Sequence, residues 1–244
     1  MRVLIPLPDR DFDVTEVSVP WHVLTRTGHE VVFATERGTA ASPDPLLVSG
    51  LSARLLVAPE VREIHRELSR APEYTKPIAW DDIVPEHYDG LLLPGGFTPG
   101  VRQYVEGTVL RRKVAQYWAL NRPVGAICHG VLLLARTIDP ATGRSVIAGK
   151  RTTCLPKHME RGGYLLLTPW RRIPHFQTYR VCEQDEVASV LNDPAQLALG
   201  PLLPRRGQAS DERRGFVVQD GKYLSARYPG DAYLFALRFE QMLR

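Results

Sequence analysis

Apolar residues in this chain gather into short unbroken bursts, and between them lie longer stretches in which apolar positions recur at helical spacing. Such bursts read as strands buried on both faces, and the spaced stretches as helices packed on a sheet. The first burst is Val3-Leu4-Ile5-Pro6-Leu7. From Asp13 to Thr27 the spacing predicts a helix, with Asp13 or Thr15 as cap, Gly28 as stop, and Pro20 either absorbed near the first turns or kinking it. Glu30 to Thr35 is a second strand, residues 38 to 50 a loop rich in Gly, Ala, Ser and Pro, and Pro59 to Arg70 a helix of mixed charge. Tyr88-Asp89-Gly90 leads into the strand Leu91-Leu92-Leu93, which stops at Pro94-Gly95-Gly96. A long helix over Val101 to Leu120 precedes the strand Pro123 to Ile127, and Val131 to Ala135 opens the next helix. Strand and helix thus alternate through the first 140 or so residues, as in parallel strands joined by crossover helices.

Beyond that point the pattern loosens. Ser145 to Ala148 and Arg151 to Leu155 read as short strands around the Gly149-Lys150 turn. Residues 156 to 215, with Trp170, several prolines and the polar run Gly207 to Arg214, fit an insertion or lid over one end of the sheet. Phe216 to Val218 and Tyr223 to Ala226 flank Asp220-Gly221, a strong hairpin signal, and a last helix starts at about Asp231. The expectation is one domain over 1–244, an α/β fold with a doubly wound, mostly parallel sheet flanked by helices.

Composition narrows the possibilities without naming a function. The chain has 244 residues, 44% hydrophobic and 24% charged, enough for a large core. The opening apolar burst is too short, and too soon followed by Asp9, Arg10, Asp11 and Asp13, to be a secretory signal, so a cytoplasmic location is expected. No stretch approaches a membrane span. Three cysteines, Cys128, Cys154 and Cys182, fit neither a disulfide framework nor a zinc ribbon. The net charge of +4 arises largely from arginine pairs, Arg111-Arg112, Arg171-Arg172, Arg205-Arg206 and Arg213-Arg214, rather than from a basic stripe with aromatics, so no nucleic-acid partner is expected. His22, His29, His65, His87 and His175 lack metal-ligand spacing, and neither a Walker loop nor a Gly-x-Gly-x-x-Gly fingerprint is present; no metal and no cofactor are expected.

The chemistry concentrates at Ile127-Cys128-His129-Gly130-Val131, where a strand turns into a helix. Cys128 falls on that junction as a nucleophile does on an elbow, and the helix dipole with a neighbouring imidazolium would push its thiol toward thiolate. The competing reading is a small, packed hydrophobe. In an open α/β sheet ligands bind beyond the carboxyl ends of the strands, where Pro94-Gly95-Gly96 also falls. The Gly95 and Gly96 amides, with the His129 N–H, could hold an oxyanion. Glu16, just after the first strand, could move a proton at the thiol, or could simply be a helix-start acid favoured by the dipole.

Ala126-Ile127-Cys128-His129-Gly130, preceded by Leu91-Leu92-Leu93-Pro94-Gly95-Gly96, resembles the ThiJ/PfpI superfamily of flavodoxin-like, class I glutamine amidotransferase-like folds. Phe12 to Trp21, Gly28 to Thr35, Tyr223 to Arg227 and Pro229-Gly230 are similar to its opening and closing segments, and the length is closer to its larger branch of heat-inducible chaperone and glyoxalase III proteins. The resemblance implies a catalytic Cys128 faced by Glu16 and partnered by His129. It also implies a third catalytic residue after the elbow helix, near 153 to 160, where Cys154 stands in place of a His and Glu160 or His158 could serve as orienting residues; His158-x-Glu160 is similar to the His-x-Glu pair of glutamine amidotransferases. Relatives often form homodimers, some completing the site from a second chain.

The reaction implied is a cofactor-independent, glyoxalase III-like conversion of methylglyoxal to lactate through a hemithioacetal on Cys128, with a small molecule as partner. Alternatives implied by the same parts are a cysteine amidohydrolase or peptidase, a stress chaperone or redox sensor without turnover, and recruitment to a biosynthetic pathway.

Overall fold

The computed structural model describes residues 1–167, 178–203, 207 and 214–244. In chain order the first elements are β1 (Arg2–Pro6), β2 (Arg10–Phe12), α1 (Val14–Arg26), β3 (Glu30–Thr35), β4 (Ser42–Pro43), α2 (Pro45–Val48), α3 (Gly50–Leu56), α4 (Pro59–Leu68), α5 (Pro72–Thr75) and β5 (Ile78–Ala79). Then come β6 (Gly90–Leu93), α6 (Arg102–Glu106), α7 (Thr108–Ala119), β7 (Val124–Ile127), α8 (His129–Arg136), α9 (Lys157–Leu167), α10 (Glu183–Val190), β8 (Val217–Asp220), β9 (Tyr223–Ala226) and α11 (Ala232–Leu243). Seven strands form one sheet in the order β5-β3-β1-β6-β7-β9-β8, parallel throughout except for the final β9–β8 pair. This is the expected doubly wound arrangement.

Burial explains the continuous apolar bursts. Val3, Leu4 and Ile5 on β1 and Leu91 to Leu93 on β6 are at most 2% exposed, because helices cover both faces of the central strands. One face is covered by α1, α4 and α11, through Val17, Leu24, Ile64, Phe235 and Phe239; the other by α6, α7 and α8, through Tyr104, Leu110, Val114 and Leu132. No helix among the described residues is long and apolar enough to cross a membrane.

Several expectations change in detail. The long helix of 101–120 is two helices, broken at Gly107, where the Trp80 ring occupies the space a side chain would need. Residues 38–50 are not all loop: Ser42–Pro43 pairs with β2 as a small parallel ribbon, and α2 starts at Pro45 behind the Asp44 cap. Ser145–Ala148 and Arg151–Leu155 are not strands; Ser145 bridges Ile138 and Thr152 bridges Leu197 as isolated pairs, and the chain is otherwise turn and irregular. The hairpin stands as expected, with Gly221 at φ +60° closing β8 onto β9. Trp170, Arg171-Arg172, His175, Arg205-Arg206, Arg213 and most of the polar run after Gly207 lie outside the described residues.

A buried ion pair fixes the end of β9 to α11. Arg227 donates through Nε to Asp231 Oδ2 (2.8 Å) and through a terminal nitrogen to Oδ1 (3.0 Å), while the Phe216 N–H also donates to Asp231. Both ions have their partners, which a buried pair requires to be tolerated. The pairing holds Tyr228-Pro229-Gly230, a wall of the cleft described next.

Candidate active site

β6 and β7 are adjacent and parallel, so Pro94-Gly95-Gly96 and Cys128 leave the same edge of the sheet side by side. Cys128 has φ +53° and ψ −134°, a conformation that non-glycine residues avoid, and it caps α8. The strain turns the chain from strand to helix within one residue. A Cβ at Gly130 would lie 2.0 Å from the Leu93 carbonyl oxygen, so only glycine lets α8 start against the end of β6.

Glu16 reaches the thiol from α1. Asp13 caps this helix, accepting from the Thr15 and Glu16 N–H groups (2.7 and 3.1 Å), and thereby sets the turn that aims Glu16 inward. Glu16 is fully buried, accepts the Gly95 N–H through Oε2 (2.9 Å), and interacts with the Cys128 thiol. Its other oxygen has no hydrogen-bond partner among the described residues. The Gly95 amide, expected to face an oxyanion, is therefore already donated to a carboxyl that burial would otherwise strand. Gly96, which lines the cleft, and the His129 N–H, directed at the sulfur, are the amides left for that task. A side chain at 95 would press into the gap between His129 N, Cys128 and Glu16.

On the opposite side, His129 Nδ1 is 3.5 Å from the Cys128 sulfur and 3.3 Å from Glu183 Oε2. The Glu183 approach is not aligned as a hydrogen bond, and this oxygen has no such partner among the described residues. One ring nitrogen thus faces both thiol and carboxyl and can serve one at a time. Glu183 begins α10; its Oε1 accepts the Leu155 N–H (3.1 Å), and its own N–H donates to Glu160 Oε2 (3.0 Å).

Three of the expected orienting residues fall elsewhere. Glu160 holds Glu183 and accepts a long hydrogen bond from the Tyr164 hydroxyl (3.4 Å); none of its hydrogen bonds reaches the thiol or the imidazole. His158 borders the cleft with its ring on the Leu202 carbonyl (2.9 Å). Cys154 is buried, its sulfur nearest as a donor to its neighbour's carbonyl. The acid beside His129 is Glu183, which sequence reasoning passed over. Glu183, Asp185 and Glu186 together read as the acidic first turn of a helix, a pattern the dipole accounts for without any site.

Burial governs the charges. It pushes the Cys128 thiol well above its ordinary pKa, and Glu16 and Glu183 push it further, outweighing the His129 N–H. Burial lowers His129 to about 3, with the Arg136 charge adding to the effect, so near neutral pH the ring is uncharged. The expectation of a thiolate made by an imidazolium is corrected accordingly: burial disfavours the charged form of both thiol and ring. Glu16 is raised well above the usual carboxylate range by burial and by Asp13, itself raised to about 6 by burial. Glu183 is raised by burial as well. The donor atoms of Cys128, His129 and Glu183 lie within 4.8 Å of one another, the one set among the described residues that could hold a metal ion.

Cys128 and Glu16 open into a cleft of about 610 Å³, lined also by Gly96, Phe97, Leu155 and Met159. A family model described as ThiJ/PfpI family-like matches residues 7–201. The chain belongs to this family. An uncharacterized protein of Schizosaccharomyces pombe is 31% identical over 171 residues, 68% of this chain and 62% of that protein, so the match spans less than two thirds of the relative. A deglycase of Pyrococcus horikoshii is 28% identical over 158 residues, 64% of this chain and 73% of the relative. Among solved ThiJ/PfpI-like structures, glyoxalase III of Candida albicans superposes with a TM-score of 0.65 at 20% identity, over 100% of this chain and 98% of that one, a likeness of fold.

Proposed function

We propose that this ThiJ/PfpI protein is a cysteine-dependent enzyme acting on reactive carbonyl compounds, and that it converts a 2-oxoaldehyde to the 2-hydroxy acid without a cofactor. The observation that carries the reading is a strained elbow thiol facing a cleft, set between a buried carboxyl and a buried neutral imidazole. The names of two similar proteins, a deglycase and a glyoxalase III, support carbonyl chemistry.

Burial raises Glu16 out of the ordinary carboxylate range, toward the range in which a carboxyl group serves as general acid and base. As the Cys128 sulfur bonds to the aldehyde carbon, its proton passes to Glu16, and the carbonyl π electrons become an oxyanion held by the Gly96 and His129 amides. Glu16 returns the proton to that oxygen, giving the hemithioacetal. The Glu16 carboxylate then removes the hydrogen from the former aldehyde carbon and delivers it to the adjacent carbonyl carbon through an enediol, while the hydroxyl proton passes from the first oxygen to the second. The first carbon is oxidised to a thioester and the second reduced to an alcohol, so no external oxidant or reductant is needed. Water cleaves the thioester and the sulfur regains a proton. His129, held beside Glu183, keeps the sulfur's other side polar and uncharged.

Incubation with methylglyoxal, following loss of the dicarbonyl and appearance of lactate, tests the proposal. Wild-type protein should form lactate and Cys128→Ala should not. Turnover that survives this substitution sinks the thiol mechanism.

A further inference from the structure

The cleft is much larger than a three-carbon dicarbonyl needs. Its polar lining includes Asp13, Glu16, Asp44 and the thiol, and Leu46, Leu47, Leu56, Val57, Phe97 and Met159 make apolar walls. The Phe97 wall is firm: its ring stacks on Tyr164 with centroids 4.5 Å apart, and Gly163 lies so close beneath that a Cβ there would be 3.1 Å from the ring. A small polar substrate would leave these walls wet and gain nothing from them, while each apolar area covered by a ligand contributes to binding.

A second cavity of about 460 Å³ adjoins the first, and the two share Thr15, Leu56, Val57, Pro229 and Gly230. Its polar groups include Arg54, Glu60 and Tyr233. The Glu60 carboxylate accepts the Tyr233 hydroxyl at 2.6 Å. Arg54 makes no ion pair or hydrogen bond through its side chain among the described residues, and its guanidinium presents a planar set of donors suited to a carboxylate or phosphate.

We infer that the substrate is extended: a 2-oxoaldehyde at Cys128, an apolar body along the Leu56–Val57 wall, and an anionic far end at Arg54. This deepens the reaction proposed above and rests on it for the aldehyde end only. The chemistry runs in one direction along the two chambers: protons are moved at the first, apolar surface is covered between, and negative charge is received at the last.

Two measurements test it on the full chain. Calorimetry with octanoate and with octanol probes the body and the far end without any reaction. Octanoate should bind wild-type protein and bind about fivefold more weakly to Arg54→Ala, the loss of one solvent-accessible ion pair, whereas octanol should not distinguish the two. In turnover, phenylglyoxal should exceed methylglyoxal in kcat/KM by about tenfold or more, because its ring covers the apolar walls. Octanoate that fails to bind, or binds equally to a folded Arg54→Ala, overturns the inference, and so does a preference for methylglyoxal. If no dicarbonyl is turned over while octanoate binding still depends on Arg54, the reaction fails and the anion-receiving chamber stands. If methylglyoxal is consumed and octanoate ignored, only the extended substrate fails.

Discussion

The sulfur is flanked by two carboxyl groups that reach it by opposite routes. Glu16 comes from the first turn of α1, three residues after its cap, directly behind a ribbon packed at the end of the sheet; chain geometry alone brings it there. Glu183 comes from the start of α10, is anchored by a loop amide at Leu155 and by Glu160 on α9, and touches the sulfur only through His129. Both are buried and both are raised above the ordinary carboxylate range by desolvation. The contrast is in what they face: Glu16 interacts with the thiol, and Glu183 has an oxygen at the imidazole. In the proposed reaction, direct proton transfer falls to the first and positioning to the second.

Removing the two acids one at a time is the sharpest way to break this comparison. Glu16→Gln should cost about 10²–10³-fold in kcat on methylglyoxal, the range of a lost general acid–base, and should abolish the acid limb of the pH–rate profile. In the wild type that limb lies above 4.5, since activity rises only as pH climbs through the raised Glu16 pKa. Glu183→Gln keeps an acceptor for Leu155 and should cost about 10–10²-fold with the acid limb in place, because it loosens the imidazole and spares the proton carrier. An equal or reversed order of the two losses would exchange their roles. Glu160→Gln, one contact further out, should cost no more than about 2–5-fold, scored as kcat/KM.

The smallest effect concerns stability. Asp13 rises from 3.8 to about 6 on folding, so across that window the folded protein keeps a proton the unfolded chain releases, and stability falls as pH rises. Above about 6 the penalty is complete. Asp13→Asn, which retains a capping oxygen, should raise the melting temperature by about 2–4 °C at a pH near 8 and by progressively less toward pH 4. His129 runs the other way: with its pKa lowered to about 3, stability is lost as pH falls below its ordinary 6.5. Thermal scans of the variant and wild type across pH separate the two signs.

The half of the site on Glu16 was legible in the sequence because it is local. An apolar burst, a capping Asp, a glycine pair and an elbow cysteine each have a pattern of their own, and parallel pairing of β1, β6 and β7 brings the ends together. The Glu183 half was not. Its acid lies 54 residues beyond His129 with no regular strand between among the described residues, its acidic neighbours imitate a routine helix start, and its contacts are tertiary. The stretch 153–160, where the resemblance implies the third residue, supplies Leu155 and Glu160, which hold the acid in place without being it. The charge state was misread for a related reason: motif and dipole favour a thiolate, and only burial in three dimensions reverses the sign.

At Gly130 the start of α8 rests directly on the Leu93 carbonyl, with no side chain as a cushion. Helix and strand are thereby coupled as one rigid unit, and the amides on either side of the sulfur must move together when the molecule breathes. This close contact ties the spacing of Cys128 and its flanking amides to the sheet rather than to the surrounding loops, so in the proposed reaction those loops are free to be remodelled for new substrates without retuning the reactive centre.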